Sequence, residues 1–207
     1  MGVTQAPVAL ADKPDPGDSV LVLSPSLVDE TNRTCTELLS LGNPEENRVL
    51  WITMHESPQE RVNIWEQHCA EQPREAAVIE VGSGTNFDSV TSRPNLGDDS
   101  IPLTTVDSPQ DLTKLGVEIV DQLERWDSAD EQVVFCFHSL STFMQYNELK
   151  KTFKFLHALT AKVSQRGAIA HFHMDSEIHD SQTVSTLLPL FRSVAEYEDG
   201  EWTYRSR

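Results

Sequence analysis

Residues 132–137, QVVFCF, form an apolar run that is unbroken from Val133 to Phe137. A strand without a polar face is typical of a parallel sheet that is covered by helices on both faces. Similar runs, rich in β-branched and apolar residues, predict further core strands at 19–23 (SVLVL), 48–54 (RVLWITM), 76–81 (AAVIEV) and 168–173 (AIAHFH).

Segments with helical spacing separate these strands. They predict helices over 31–41, from Ser57-Pro58 to His68, from Ser108-Pro109 to Trp126, over 143–165 and over 180–190. Near the end of the chain, SVAEY and WTYRS flank Asp199-Gly200, a turn dipeptide of β-hairpins. Strands that alternate with helices predict an α/β fold, a doubly wound and mostly parallel sheet with helices on both faces and an antiparallel hairpin at its edge.

The 207 residues fit one domain at 19–207, preceded by a flexible tail at 1–18 that contains three prolines. The polar stretch 82–100 is longer than most loops and is expected to be functional or disordered. No apolar run reaches 18 residues, which excludes direct membrane insertion. Three widely spaced cysteines indicate reduced thiols, so we expect a cytoplasmic protein.

The chain is strongly acidic, with 33 Asp and Glu residues against 16 Lys and Arg residues and a formal net charge of −17. Such a surface repels a phosphate backbone, so no nucleic-acid partner is expected. Only six residues are lysine. This profile resembles the proteins of salt-accumulating archaea, whose acidic surfaces keep them soluble in molar salt. An ordinary acidic protein is the alternative.

The loop after the first strand, SPSLVDET from Ser24 to Thr31, has the spacing of the phosphate-binding motif G-x-x-x-x-G-K-[ST] without its chemistry. Ser24 and Asp29 replace the two glycines, Glu30 replaces the lysine, and Thr31 occupies the Mg²⁺-ligand position. The glycines allow backbone N–H groups to surround the phosphates, and the lysine neutralises them. Two carboxylates here repel a phosphate, which excludes a normal P-loop. GSGT at 82–85 lacks a following lysine and is weak evidence for phosphate binding.

Two longer segments suggest a family. VLWITMHESPQERVNIW (49–65) resembles the segment of KaiC-like ATPases of the RecA superfamily in which a strand ends in paired glutamates before a helix. EQVVFCFHSLSTFMQYNELKKTFKFLHALTAKVSQRGAIAHFH (131–173) resembles their Walker B strand, the Ser-rich turn, the next helix and the next core strand. The resemblance, to the KaiC/GvpD type, extends from about Val20 to Tyr197 and implies a RecA-like domain.

The same resemblance assigns roles to single positions. In that family, one of the two glutamates at the strand end activates the attacking water. Glu56 matches one of these two positions, and His55 occupies the other. His138 replaces the Walker B aspartate, while Ser139 and Ser141 retain the turn. The glycines, the lysine and the metal-binding aspartate of phosphoryl transfer are therefore missing, and no cofactor is expected. Glu56 is the one weak catalytic candidate, with a solvated carboxylate as the alternative, and Thr31 is expected to be a helix-start residue.

Histidines provide a second group of candidates. His171 and His173 alternate on one strand and so point to the same face. No metal site is expected, but His171, His173 and Asp175 are weak candidates for a Zn²⁺ or Ni²⁺ site, or for a pH-responsive cluster, that would line the former nucleotide crevice with His138, His55 and His179. The alternative is that each is a neutral, hydrogen-bonded residue. Cys136 is expected to pack as a small hydrophobic residue.

Four of the six lysines, Lys150, Lys151, Lys154 and Lys162, lie on the predicted helix 143–165. They form either a docking face for an acidic partner or the solvated side of an amphipathic helix.

Together these features predict a catalytically inactive RecA-like domain that acts as a regulatory or scaffolding protein in signalling, motility, cell shape or transcription, with self-association as a further option. An unconventional nucleotide-binding protein or ATPase, or a metal- or pH-sensing domain, is the alternative function.

Overall fold

The structure is a computed structural model that describes residues 14–25, 29–54, 56–82, 93–126 and 131–207. Its strands are β1 (Ser19–Leu23), β2 (Asn47–Met54), β3 (Glu75–Val81), β4 (Asn95–Leu96), β5 (Asp99–Ser100), β6 (Leu103–Val106), β7 (Gln132–His138), β8 (Ile169–Met174), β9 (Ser193–Glu198) and β10 (Glu201–Ser206). Its α-helices are α1 (Asp29–Leu39), α2 (Pro58–His68), α3 (Leu112–Arg125), α4 (Leu140–Tyr146), α5 (Leu149–Arg166) and α6 (Ser181–Leu187).

Eight of these strands form one sheet in the order β10-β9-β1-β8-β7-β2-β3-β6. All neighbours are parallel except β9 and β10, which form the predicted antiparallel hairpin. Asp199 and Gly200 both have positive φ, as the predicted turn requires. The α/β fold class is therefore confirmed. Since β1, β8, β7 and β2 are consecutive neighbours, their carboxyl ends form one continuous edge.

Helices cover both faces of the sheet, and side chains alternate between the two layers. On one face, α1 and α2 pack over the sheet, with Trp51 of β2 in edge-to-face contact with Trp65 of α2 at 5.9 Å between ring centroids. On the other face, α3, α4 and α5 cover an aromatic core, in which Phe137 contacts Phe143 and Phe172. Because Phe135 and Phe137 point into this core, Cys136 between them points to the α1 face.

The predicted single helix over 143–165 is wrong, since the chain forms α4 and α5 with a break at Asn147. The Asn147 side chain is buried and donates hydrogen bonds to the backbone oxygens of Pro109 (2.9 Å) and Phe143 (3.1 Å). It thereby ends α4 and ties it to the loop before α3. The heptad-like spacing of apolar residues continues across the break, so periodicity alone did not reveal it.

Several boundaries also differ from the sequence prediction. Ser108-Pro109 precedes a turn, and α3 begins later, where the Asp111 carboxylate accepts a hydrogen bond from the N–H of Lys114. The first helix begins at Asp29, and the last α-helix ends at Leu187 before a short 3₁₀ turn. Strand β6 and the β4–β5 hairpin were not predicted. The Ser57 cap of α2 is confirmed, because its hydroxyl accepts from the N–H of Glu60 at 3.1 Å.

Of the predicted tail, residues 1–13 lie outside the described residues, as do positions 83–85 of the GSGT segment. Asp18, at the end of that predicted tail, is buried and forms an ion pair with Arg192 at 3.2 Å. Among the helices that the structure describes, none combines the length and the apolar character needed to span a bilayer.

Replacing Asn147 with alanine tests the role of this residue at the α4–α5 break. The N147A variant leaves two buried carbonyl oxygens without their partner, so we expect the free energy of unfolding to fall by about 1–3 kcal/mol. The measurement is chemical denaturation followed by circular dichroism. The matched control is N63A on the exposed side of α2, where we expect a change within about 0.5 kcal/mol. Equal losses in the two variants would contradict this role.

Candidate functional site

A polar crevice lies at the carboxyl ends of β1, β2, β7 and β8, where ligands bind in open α/β sheets. The described residues enclose a cavity of about 110 Å³ there. Its lining includes residues from four of the segments singled out in the sequence: Ser24, Thr31, Glu56, His138, Ser139, His173 and Asp175. The fold therefore brings the loop after β1, the residue Glu56 after β2, the end of β7 and the histidine strand β8 together.

The phosphate-loop residues do not form a phosphate cradle in their described part. Ser24 and Thr31 are buried, and the Thr31 hydroxyl donates a hydrogen bond to Ser24 Oγ at 3.1 Å. Thr31 lies in the first turn of α1, in keeping with a helix-start residue, and Glu30 beside it is exposed. The Asp29 side chain and residues 26–28 lie outside the described residues.

Glu56 contacts the side chains of Arg61 and His138. Its Oε2 lies 2.6 Å from Arg61 Nε, and Arg61 Nη2 donates to its Oε1 at 3.1 Å. His138 Nδ1 lies 3.3 Å from the same Oε2. Burial by itself raises the pKa of the Glu56 carboxyl, but the His138 hydrogen bond and the charges of His138 and Arg61 outweigh it and bring the pKa below its usual value. Glu56 is thus a paired carboxylate and not the freely solvated one that was the alternative.

Sequence reasoning missed Arg61. Its side chain is only 3% exposed, and it also donates to Asn32 Oδ1 on α1 at 3.4 Å. The available signal was its position, because Arg61 falls on the same helical stripe as the buried residues Pro58, Val62 and Trp65. A charged residue in an apolar stripe requires a buried partner.

The histidines separate into two groups. His171 and His173 point to the same face of β8 as expected, with ring centroids 5.0 Å apart, and His138 lies 5.0 Å from His173. His179 instead contacts Ser141, with its Nε2 2.9 Å from the hydroxyl. His55 lies outside the described residues.

Asp175 and Ser139 serve local turns. The Asp175 carboxylate accepts a hydrogen bond from the N–H of Glu177 at 2.8 Å, and its own N–H donates to Ser141 Oγ at 2.8 Å. Ser139 caps α4, because its hydroxyl accepts from the N–H of Thr142 at 3.2 Å. Strand β7 thus leads through the Ser139 cap directly into α4, within which Ser141 lies.

Beneath the crevice, two cysteines join the β8 histidines in a buried cluster. Cys35 Sγ on α1 lies 3.4 Å from Cys136 Sγ on β7 and 3.2 Å from His171 Nε2. One potential ligand atom from each of Cys35, Cys136, His171 and His173 lies within 4.8 Å of all the others, and all four residues are buried. No other group of His, Cys, Asp or Glu side chains in the described residues is close enough to bind one ion.

The environment of the cluster shifts the pKa values of its two thiols in opposite directions. The hydrogen bond with Cys136, opposed by burial and helped by the nearby His171 and His173, holds the pKa of the Cys35 thiol well below its usual value. Burial, together with the hydrogen bond with Cys35, raises the pKa of the Cys136 thiol well above its usual value. Burial also lowers the pKa of His173 to about 4. Cysteine sulfur and imidazole nitrogen are ligands of soft and borderline metal ions.

The four lysines of the predicted docking face are all exposed on α5. At about 100° per residue, Lys150, Lys154, Lys151 and Lys162 span about 120° of the helix circumference. They lie on the side of the sheet opposite to α1 and the cysteine–histidine cluster. The lysine face and the cluster are therefore separate features.

Comparison with known proteins identifies a similar fold and a family, and it gives no information on activity. A solved structure from Pyrococcus horikoshii OT3, described as a structural study, matches with a TM-score of 0.60 over 94% of this chain and 88% of that chain. Its sequence identity is 14%, so the likeness concerns the fold alone, an α/β fold compatible with a RecA-like domain. A search of the curated proteins finds no match. A family model described as "Family of unknown function (DUF7504)" matches residues 17–197, most of the chain, and the protein therefore belongs to the DUF7504 family.

Proposed function

We propose that this protein is a RecA-like domain of the KaiC/GvpD type that does not hydrolyse nucleotides and acts as a regulatory or scaffolding protein through protein–protein contacts. The observation that carries the proposal is the occupation of the crevice by the protein's own ion pairs. Glu56, Arg61 and His138 form one charged network there, at the positions where an ATPase of that type needs a free glutamate and a metal-binding aspartate.

This network is unsuited to phosphoryl transfer. A general base is most effective when its pKa lies near the working pH, whereas, despite burial, the contacts with His138 and Arg61 bring the pKa of Glu56 below its usual value. The Thr31 hydroxyl, at the Mg²⁺-ligand position, is already bonded to Ser24. The cavity that the described residues form, about 110 Å³, is smaller than the roughly 300–1,000 Å³ of small-molecule pockets.

The charges around the crevice also support the proposal that the protein does not hydrolyse nucleotides. Catalysis of phosphoryl transfer depends on cations that neutralise the charge on the transferred group. Glu30 instead offers an exposed carboxylate at the lysine position, and the whole chain has a net charge of −17. Arg61, the buried cation of the crevice, is already neutralised by Glu56.

The partner surface that we propose lies on α5 and α3. A groove of about 400 Å³ runs between these helices and is mostly apolar, with Val117, half exposed, and Phe155 in its walls. Lys162 lines the groove, and Lys150, Lys151 and Lys154 follow on the exposed side of α5. On a chain this acidic, an apolar groove beside a cluster of lysines fits an acidic protein segment that carries apolar side chains. Self-association through the acidic surface of a second copy is the alternative partner.

We propose that the protein functions in the cytoplasm of a salt-accumulating archaeon. The support is the acidic surface, the small number of lysines and the three free cysteines. The experiments below are therefore designed in molar KCl, in which long-range repulsion between surface carboxylates is screened.

Titration of the full chain with ATP and Mg²⁺ tests the loss of nucleotide chemistry. We expect no saturable binding at sub-millimolar ATP, because the loop before α1 lacks the glycines and the lysine that hold phosphates, and Glu56 and Thr31 already contact other side chains of the protein. Isothermal titration calorimetry measures this directly, with an active KaiC-like ATPase in the same buffer as the positive control. Saturable, Mg²⁺-dependent binding that is weakened by T31A or E56Q would contradict the proposal and support the nucleotide-binding alternative.

The structural role of Glu56 can be separated from a catalytic one by mutation. The E56A variant leaves the buried Arg61 guanidinium without its carboxylate, so we expect the free energy of unfolding to fall by about 1–3 kcal/mol. The matched control is E60A, which removes an exposed carboxylate from α2, the helix that contains Arg61, and is expected to change the free energy of unfolding by less than about 0.5 kcal/mol. Denaturant unfolding measures both. A loss no greater for E56A than for E60A would show that the ion pair does not stabilise the fold.

The docking face is tested by charge reversal against an identified partner. A photo-crosslinking amino acid at position 117 identifies the protein that occupies the groove in cells, and the affinity of that purified partner is then measured. The K151E/K154E/K162E variant is expected to bind at least about tenfold more weakly, because each reversal replaces an attraction with a repulsion. R207E, an exposed reversal at the end of the chain, is the control. Equal affinity of both variants for the partner would contradict this surface.

A further inference from the structure

The geometry points to a closed tetrahedral Zn²⁺ site formed by Cys35, Cys136, His171 and His173. The site lies beneath the crevice, between α1 and the strands β7 and β8, and it does not depend on the regulatory function proposed above. Two thiolates and two imidazoles are a ligand set of structural zinc sites in proteins.

The distances fit such an ion. Zn²⁺ binds sulfur at about 2.3 Å and imidazole nitrogen at about 2.0–2.1 Å, so neighbouring ligand atoms of a tetrahedron are about 3.3–3.8 Å apart. Cys35 Sγ lies 3.4 Å from Cys136 Sγ and 3.2 Å from His171 Nε2. All four ligand atoms lie within 4.8 Å of one another. The two measured pairs thus lie close to tetrahedral spacing, and every other pair lies at most about 1 Å beyond it.

The buried ring of His173 is a second observation that points to a metal ion. Its side chain is 4% exposed, and neither ring nitrogen makes a hydrogen bond within the described part of the chain. Buried polar groups almost always have a partner, because leaving one unpaired costs about 1–3 kcal/mol. Coordination of a metal ion by one of these nitrogens supplies the partner that the protein does not.

The placement of the ligands argues for a structural ion. Cys136 and His171 are register partners on the adjacent strands β7 and β8, and Cys35 faces them from the buried side of α1. Four protein ligands leave no position for water or substrate, which distinguishes structural from catalytic zinc. The ion would fix α1, the helix that follows the degenerate phosphate loop, to the centre of the sheet.

A disulfide between Cys35 and Cys136 is the main competing interpretation. The two sulfur atoms are 3.4 Å apart, against about 2.05 Å in a disulfide. A disulfide would leave both histidine rings beside it without a role and would not provide a partner for His173. The metal site accounts for all four residues, whereas the disulfide accounts for two.

Metal analysis of the full chain, purified under reducing conditions without chelator, tests the site. We expect one equivalent of zinc by mass spectrometry, and after unfolding, chelation and refolding we expect one equivalent of Co²⁺ with the visible absorption and thiolate charge-transfer bands of a tetrahedral site. The C35S and H173A variants are expected to bind Co²⁺ more than about 100-fold more weakly, beyond the 10- to 100-fold typical of losing an outer partner.

The controls are C69S and H157A, which change a cysteine and a histidine outside the cluster and are expected to bind Co²⁺ like the unmodified protein. If C35S or H173A does not fold, the cobalt spectrum of the unmodified chain still decides the question. The site is overturned by absence of both retained zinc and cobalt–thiolate bands, by a Cys35–Cys136 disulfide in thiol counting, or by undiminished binding in folded C35S and H173A.

Discussion

The pairing of β7 with β8 at the centre of the sheet is the constraint on which the rest of the structure depends. Because side chains alternate along each strand, the register places Phe135, Phe137 and Phe172 on one face and Cys136 and His171 on the other. The aromatic face forms an ordinary hydrophobic core with α3, α4 and α5. The opposite face contains sulfur and imidazole groups where hydrocarbon would be expected, and such groups need partners once they are buried.

The crevice above this cluster is lined by side chains that contact one another. In an α/β sheet the carboxyl ends of the strands provide a binding edge whatever residues occupy it. Here that edge contains Glu56 bound to Arg61 and His138, and Thr31 bound to Ser24. His173 lines the crevice and also belongs to the buried cluster, so the two features share one side chain.

The features to which we assign different roles lie on opposite faces of the sheet. The α1 side contains the crevice and the cysteine–histidine cluster, both built from internal contacts. The α3–α5 side presents an apolar groove and the exposed lysines. The partners that Glu56 and Thr31 have within the protein, and the four of six lysines that are exposed on α5, are the observations that support the proposed contact with a partner.

The sequence by itself determined the fold class, the central strands, the Asp199-Gly200 hairpin and the Ser57 cap, because these follow from local periodicity and turn chemistry. It also located His171 and His173 on one face, since strand alternation is a local rule. It did not reveal the break at Asn147, the partnership of Arg61 with Glu56 or the approach of Cys35 to Cys136. Those contacts join residues that are distant in the chain or require side-chain geometry, and only the tertiary packing of α1, α2 and the loop before α3 against the sheet decides which polar groups meet.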